Sequence, residues 1–234
     1  MNKKTTIFLL PMIMAIFMLV LTPTVSAQET ETREAGLTPN SPIYFIDTWS
    51  EDISLALTQG TEARARKQYD ISQEKLSEIE EMAEIEDADA AETAADRYSS
   101  MVEGAAQTLS EAAQSGEEID SALSELISTA TARSAEVLLG VLEKVPEQAK
   151  TSIQRAIQAS GQGSQKALEA VSAENREATQ QQVEGSLQQA RDKAPEEARQ
   201  FIPKNIPSQP ETNQEQGGSN AAPSLPDQAG QRGR

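Results

Sequence analysis

The sequence predicts an all-α protein: an elongated antiparallel bundle of about four to five helices with a C-terminal helical extension and a disordered tail. Three observations support this fold class. Apolar residues recur at intervals of three and four over long stretches, the period of an amphipathic helix. No stretch alternates apolar and polar residues for long enough to form a strand. Gly60, Gly116 and Pro146 stand where the helical period stops, as glycine and proline do at helix ends.

Residues 1–27 are predicted to be a signal peptide. Lys3 and Lys4 precede an apolar run from Ile7 to Leu21, and the V-S-A sequence that follows predicts cleavage after Ala27. The alternative is an uncleaved membrane anchor, but the run is shorter than the about 20 apolar residues that a spanning helix needs. No second apolar stretch follows. We therefore expect a secreted, extracytoplasmic protein with a Sec-type signal and no membrane span after cleavage.

Residues 28–37 are polar and predict a flexible leader, and residues 38–163 are the predicted helical domain. In T-P-N-S-P, at the start of the domain, Ser41 can cap a helix whose first position is Pro42. The apolar positions of this first helix recur every four residues: Phe45, Trp49, Ile53 and Leu57. We expect Tyr44, Phe45 and Trp49 to dock on the longer helices, because apolar residues at helical spacing usually form core.

The next helices are predicted in the same way. The second opens at Thr61 with a heptad-like seam, and the third ends at Gly116. Pro146 must interrupt or kink the fourth helix, since proline removes a backbone hydrogen bond and clashes with the preceding turn. Helical periodicity then resumes as far as Gly161 and Gly163, which mark the expected end of the domain.

Residues 164–200 are the predicted Gln/Glu/Ala-rich helical extension. This segment has a high helix propensity but little apolar surface to bury. Its larger apolar residues are Leu168, Val171, Val183 and Leu187. Two arrangements stay open, a protruding single helix or one half of an intermolecular coiled coil, and the second makes residues 164–199 a candidate homo-oligomer contact. Residues 201–234 are rich in Pro, Gly and Gln and predict a disordered tail.

The composition excludes several classes of chemistry. The 234 residues contain no His and no Cys, so there is no imidazole base, thiolate nucleophile, disulfide or standard zinc or haem ligand set. Twenty basic against 37 acidic residues give a net charge of −17, which argues against a nucleic-acid partner because phosphate binding needs clustered Lys and Arg. We assign no catalytic, cofactor-binding or metal-ligating residue and expect no enzymatic activity and no cofactor.

The most acidic stretch is a weak candidate for cation binding. Nine acidic residues lie between Glu74 and Glu92, and only Lys75 opposes them. Ca²⁺ takes clustered oxygen ligands, but the residues around Asp87 and Asp89 lack the glycine of an EF-hand loop. A solvated helix face with an acidic hairpin tip is therefore the favoured interpretation. A low-affinity divalent-cation binder or extracytoplasmic sensor stays as the alternative.

A carboxylate-only hydrolase is a remote alternative. Trp49 stands beside Glu51 and Asp52, and glycosidases use paired carboxylates in a cleft. These three residues stand at helical spacing, which more often indicates an amphipathic core helix.

Two motifs carry a family resemblance. Residues 36–45 read G-L-T-P-N-S-P-I-Y-F. Residues 137–139 read V-L-L, and residues 141–150 read V-L-E-K-V-P-E-Q-A-K. Over about residues 36–171 the chain resembles domain of unknown function 5667, a family of exported helical domains of archaea and bacteria. The resemblance implies fold and export and little about activity. Family members carry a His just before the second motif, and Ser134 stands near that place here.

These observations together predict an exported, acidic, non-enzymatic helical protein. We expect it to act through contacts with a protein or cell-envelope partner whose identity the sequence does not reveal.

Overall fold

The computed structural model describes residues 37–204, which form six α-helices and a short 3-10 helix. Their bounds are α1 Tyr44–Leu57, α2 Thr61–Glu84, α3 Ala88–Ser115, α4 Ser121–Leu142, α5 Glu147–Leu168, α6 Ala173–Lys193 and the 3-10 helix Arg199–Phe201. Residues 37–204 contain no strand, which confirms the all-α prediction. None of their helices is long and apolar enough to span a bilayer. The predicted signal peptide, the leader up to residue 36 and the tail from residue 205 lie outside the described residues.

The helix ends follow from local chemistry at the predicted breaks. Asp87 and Asp120 cap α3 and α4 by accepting backbone N–H groups at 3.1 and 2.9 Å. Gly116 ends α3 in the left-handed conformation with φ 75°, which glycine adopts without a steric penalty. Pro146 lies at the N-cap of α5. The predicted interruption there therefore separates two helices, and no kinked continuous helix results.

Helices α2–α5 form a four-cornered bundle. Helix α2 packs on α3, α3 on α5, α5 on α4, and α4 on α2, while α3 and α4 lie across the diagonal. Three side-chain pairs between α3 and α5 are each 59 residues apart: Asp89 with Gln148, Asp96 with Arg155 at 2.8 Å, and Gln107 with Lys166. A constant separation means that α3 and α5 run parallel. Consecutive helices are antiparallel. Because α3 is followed by α4 at the opposite corner, and α4 by α5 beside α3, the neighbours α3 and α5 run in the same direction.

The α3–α5 contact depends on small residues. Tyr98 is fully buried, and its hydroxyl lies 2.7 Å from the hydroxyl oxygen of Ser160. A Cβ added at Gly163 would come within 2.5 Å of a methyl carbon of Val102, so the missing side chain permits this close approach. The domain boundary expected at residues 163 and 164 therefore falls inside α5, because Gly161 and Gly163 pack within the helix and do not end it.

The predicted extension packs on the bundle. Val183, Leu187 and Ala190 of α6 are buried in the main hydrophobic core. Helix α6 lies along α4, with Asn175 bonded to Glu125 near its start and Gln189 to Glu136 near its end. Residues 164–200 are therefore neither a protruding single helix nor a free half of an intermolecular coiled coil.

The first residues of the predicted disordered tail are also packed. Ile202 is buried in the same core, and Pro203 lies against Gly161. The expected start of the tail at residue 201 is therefore too early. The reason is that Phe201 and Ile202 supply apolar surface that α5 can cover.

Candidate functional site

Helix α1 turns its apolar side to solvent. Five large apolar side chains on this side are exposed: Phe45, Ile46, Trp49, Ile53 and Leu57. The exposed fractions of Phe45, Trp49 and Leu57 are 67%, 65% and 73%. The expectation that Phe45 and Trp49 dock on the longer helices is wrong, and only Tyr44 of the expected trio is buried. We call these five residues the outward face.

The side of α1 that contacts the bundle is polar, and its centre is Lys75 of α2. The Lys75 ammonium is fully buried and lies 2.7 Å from Glu51 Oε1, 3.3 Å from Asp47 Oδ2 and 2.6 Å from Glu78 Oε1. It also lies 4.9 Å from the ring centroid of Tyr44, a cation–π contact. We call these five residues the Lys75 cluster.

The Lys75 cluster explains why α1 is turned this way. A buried charge is costly unless it is paired and hydrogen-bonded. Two of the three carboxylates around Lys75, those of Asp47 and Glu51, belong to α1. Tyr44, also on α1, donates to Glu78 Oε2 at 3.0 Å. These partners fix the inward side of α1, and the apolar side then has to point outward.

Arg97 of α3 provides a second attachment. Its Nε and Nη2 donate to Glu51 Oε2 at 3.3 and 3.2 Å, and Nη2 also bonds Asp52. Glu51 is itself buried and is bound by cations from two helices. Helix α1 is therefore held on both α2 and α3 mainly by charged side chains.

Burial and pairing shift the pKa values of three groups in the cluster. Burial raises the pKa of Glu78 to about 7, although Lys75 and the Tyr44 hydroxyl lower it in part. Burial alone would lower the pKa of Lys75, but Glu51 and Glu78 outweigh this and hold it above its usual range. Burial, helped by the Glu78 charge, also raises the pKa of Tyr44. The fully buried Glu78 carboxyl can therefore keep its proton near neutral pH.

Two acids of the Lys75 cluster, together with Glu74, form the group of acids within residues 37–204 that most resembles a metal site. Ligand oxygens of Asp47, Glu51 and Glu74 lie within 4.8 Å of one another, and such oxygens suit Ca²⁺ or Mg²⁺. The Lys75 ammonium, however, contacts two of these three carboxylates. The positive charge that such a group of acids requires is therefore supplied by a side chain of the protein.

The acidic stretch 74–92 does not converge on one point. Glu78 is buried against Lys75, and Asp87 caps α3. Glu81, Glu84 and other members are exposed along α2 or in the turn that follows it. This distribution matches the favoured interpretation of a solvated helix face with an acidic turn.

The residues that suggested a hydrolase do not line a common cleft. Trp49 projects from the outward face, whereas Glu51 and Asp52 are both bound to Arg97. A groove of about 570 Å³ does lie between α2 and α3, lined by residues that include Arg64 and Glu111. It contains no aromatic side chain and none of the three suggested residues.

Apolar periodicity does not predict the buried pairing of Lys75 or the role of Arg97, although the sequence contains a signal for Lys75. Residues 68, 71, 75, 78 and 82 are spaced by three and four and are all buried on α2. Lys75 and Glu78 therefore stand in line with Ile71 and Met82, in a row that is otherwise suited to a core. Opposite charges at core positions three residues apart indicate a buried ion pair.

Comparison with known proteins identifies a family for part of the chain. Residues 36–148 match the family model described as "Domain of unknown function (DUF5667)". No curated protein and no solved structure matches the chain. The match includes α1–α4 and the whole Lys75 cluster, and it ends before residues 149–171 of the expected resemblance. Residues 36–148 are therefore similar to the DUF5667 family, whose function is unknown.

Proposed function

We propose that the protein is an exported, non-enzymatic interaction module that contacts a protein or cell-envelope partner through the outward face of α1. The observation that carries this proposal is the exposure of five large apolar side chains together on one helix of 14 residues. Contiguous exposed apolar surface on a protein commonly marks an interaction site.

The structure favours α1 over residues 164–199 as the contact. The two large apolar residues of α6, Val183 and Leu187, are buried in the molecule's own core. No large apolar side chain of α6 is therefore available to a second molecule. The homo-oligomer expected through residues 164–199 loses the apolar stripe on which it depended.

The Lys75 cluster supports the same proposal because it holds the outward face in a fixed orientation. Ion pairs to α2 and α3 attach both the start of α1, at Asp47, and its middle, at Glu51 and Asp52. A preorganised face loses less conformational freedom on binding than a mobile one.

Photo-crosslinking in cells tests the contact. Benzoylphenylalanine at position 45 samples the outward face, and the same residue at position 181, an exposed site on α6, is the matched control. We expect discrete crosslinked products from position 45 and none from position 181. Absence of products at both positions, or equal products from both, would contradict the proposed contact.

The proposed export depends on residues 1–27 and has its own test. N-terminal sequencing of the protein recovered outside the cytoplasm should begin at Gln28, because cleavage is predicted after Ala27. Recovery of an uncleaved chain in the membrane fraction would favour the membrane anchor instead.

The alternative of a low-affinity cation binder has one favouring observation, the proximity of Asp47, Glu51 and Glu74. Because the Lys75 ammonium already occupies the space beside two of them, we expect calorimetric titration with Ca²⁺ at physiological salt to give no binding heat. A binding heat that Glu74→Gln abolishes would favour the cation binder.

A further inference from the structure

Helix α1 takes no part in the hydrophobic core of the bundle. Neither of the two hydrophobic clusters within residues 37–204 contains a residue of α1. Only two of its 14 residues are buried, Tyr44 and Glu51, whereas α2, α3, α4 and α5 each bury ten to twelve. Detaching α1 would therefore leave the core intact and expose little apolar surface.

Polar bonds to Lys75, Glu78 and Arg97 attach α1 to the bundle. These three side chains belong to α2 and α3 and are paired with side chains on the inward side of α1: Tyr44, Asp47, Glu51 and Asp52. Ion pairs and hydrogen bonds of this kind break together when two surfaces separate, because each depends on the same close approach. The attachment of α1 and the packing of the bundle are therefore different kinds of contact.

The chain on either side of α1 permits a movement of the whole helix. Residues 58–60 join α1 to α2, and Gly60 has φ 89° with no atom within 4 Å of the position a Cβ would take. Glycine can change φ there at little steric cost. On the other side of α1, the hydrogen bonds shown for residues 38–43 join near neighbours within that segment or the first turn of α1. A rotation at Gly60 can therefore move α1 away from α2.

We propose that α1 is an arm that detaches from the α2–α6 bundle as a unit while the bundle stays folded. Opening separates Arg97 from Glu51 and Asp52 and removes the ordered surface that the attached arm presents. An isolated helix of 14 residues is marginal in water, so the detached arm loses its backbone hydrogen bonds together. The proposal goes beyond the contact assigned to the outward face, because it concerns how α1 is attached and does not depend on a partner.

Native-state hydrogen exchange of the full chain in increasing urea measures the opening. Backbone amides of α1 should share one opening free energy, lower than that of the buried parts of α3 and α5. Exchange in α1 should depend weakly on urea because the opening exposes little surface, whereas exchange in α3 and α5 should depend on it steeply. Equal free energies and equal urea slopes for α1 and α3 would overturn the proposal. Opening free energies that fall from the middle of α1 towards both ends would indicate fraying and would overturn it as well.

A core substitution separates local opening from global unfolding. Leu187→Ala weakens the core of the attached and the detached state alike, so it should speed exchange in α3 and α5 and leave exchange in α1 unchanged. If α1 speeds up as much as α3, its amides exchange only by global unfolding and the proposal is wrong. Val183→Ala, a smaller deletion from the same core, gives the same comparison if Leu187→Ala does not fold.

A substitution of Arg97 tests what holds the arm. Arg97→Gln removes the ion pairs with Glu51 and Asp52, so exchange in α1 should become about tenfold faster. The matched control is Arg155→Gln, which removes an exposed ion pair between α5 and Asp96 of α3 and should change exchange in α1 by less than about twofold. Equal acceleration by the two variants, or none by either, would contradict an arm held by its charged side chains.

Discussion

Helices α1 and α6 use their apolar residues in opposite ways. Helix α1 is rich in aromatic and aliphatic residues, yet its largest ones are exposed. Helix α6 consists mainly of Gln, Glu and Ala, yet its few apolar residues are buried. The composition of a helix therefore indicates how much apolar surface it has. Which side of the helix is buried depends on the side chains that the neighbouring helices present to it.

The partners differ in kind. Helix α6 meets an apolar neighbour, α4, and a narrow row formed by Val183, Leu187 and Ala190 is enough to dock it. Helix α1 packs against Lys75. Because a buried ammonium is costly unless carboxylates pair with it, the side of α1 that contacts the bundle is polar. Polar attachment on one side leaves the apolar side of α1 free for another molecule.

The largest expected effect breaks the attachment of α1. Lys75→Met leaves the buried carboxyl of Glu78 without its cation and leaves Glu51 with Arg97 alone, so the free energy of unfolding should fall by about 3–5 kcal/mol. Urea denaturation measures this change. Lys67→Met, a substitution on the same helix at a residue that is not fully buried, should change the free energy by less than about 0.5 kcal/mol. Similar losses for the two variants would show that the cluster contributes nothing specific.

The second prediction compares one leucine from each helix. Leu187→Ala in α6 removes a buried side chain from the core and should lower the free energy of unfolding by about 2–5 kcal/mol. Leu57→Ala in α1 removes an exposed side chain and should stay within about 0.5 kcal/mol. Both values come from the same urea titrations, and a larger loss for Leu57→Ala would reverse the comparison.

Two glycines extend the comparison to smaller effects. Gly163→Ala in α5 would press a Cβ against Val102 and should cost about 1–3 kcal/mol. A Cβ at Gly185 of α6 meets no atom within 4 Å, so Gly185→Ala should stabilise the protein by about 0.5–1 kcal/mol through helix propensity. Thermal unfolding of the two variants should show shifts of opposite sign, and shifts of the same sign would contradict the close α3–α5 contact.

The last prediction is a pH dependence that comes from Glu78 of α2, which holds Lys75 and the Tyr44 hydroxyl of α1. The pKa of Glu78 in the folded protein is about 7, above its ordinary value of 4.5, so the folded state binds the proton more tightly. The stability that this proton contributes is complete below the ordinary value and is lost as pH rises through about 7. The slope is at most about 1.4 kcal/mol per pH unit. Urea titrations from pH 4.5 to 8 measure it, and Glu78→Gln should remove it while Glu81→Gln, on the exposed side of α2, should not.

Local sequence signals predicted the helices and most of their ends. Gly116 ends α3 and Pro146 precedes α5 at the predicted breaks, because backbone conformation at a glycine or proline is a local property. Gly161 and Gly163 misled the same reasoning, since a small residue inside a helix can also serve close packing. The orientation of α1 was not predictable from its own period. It depends on Lys75, which lies 28 residues from its partner Asp47, and apolar periodicity alone gives no sign of a helix attached by its polar side.

The parallel pairing of α3 and α5 determines how much chain the bundle needs. Two parallel neighbours require a connection that runs back along the bundle, and α4 is that connection. A chain that ends at residue 148, where the family match stops, lacks α5 and leaves the alanine-rich side of α3 uncovered. The residues that match the family model and the residues needed to close the core are thus two different lengths of chain. A fragment cut at the family boundary should remain open and prone to aggregation until residues up to Leu168 are supplied.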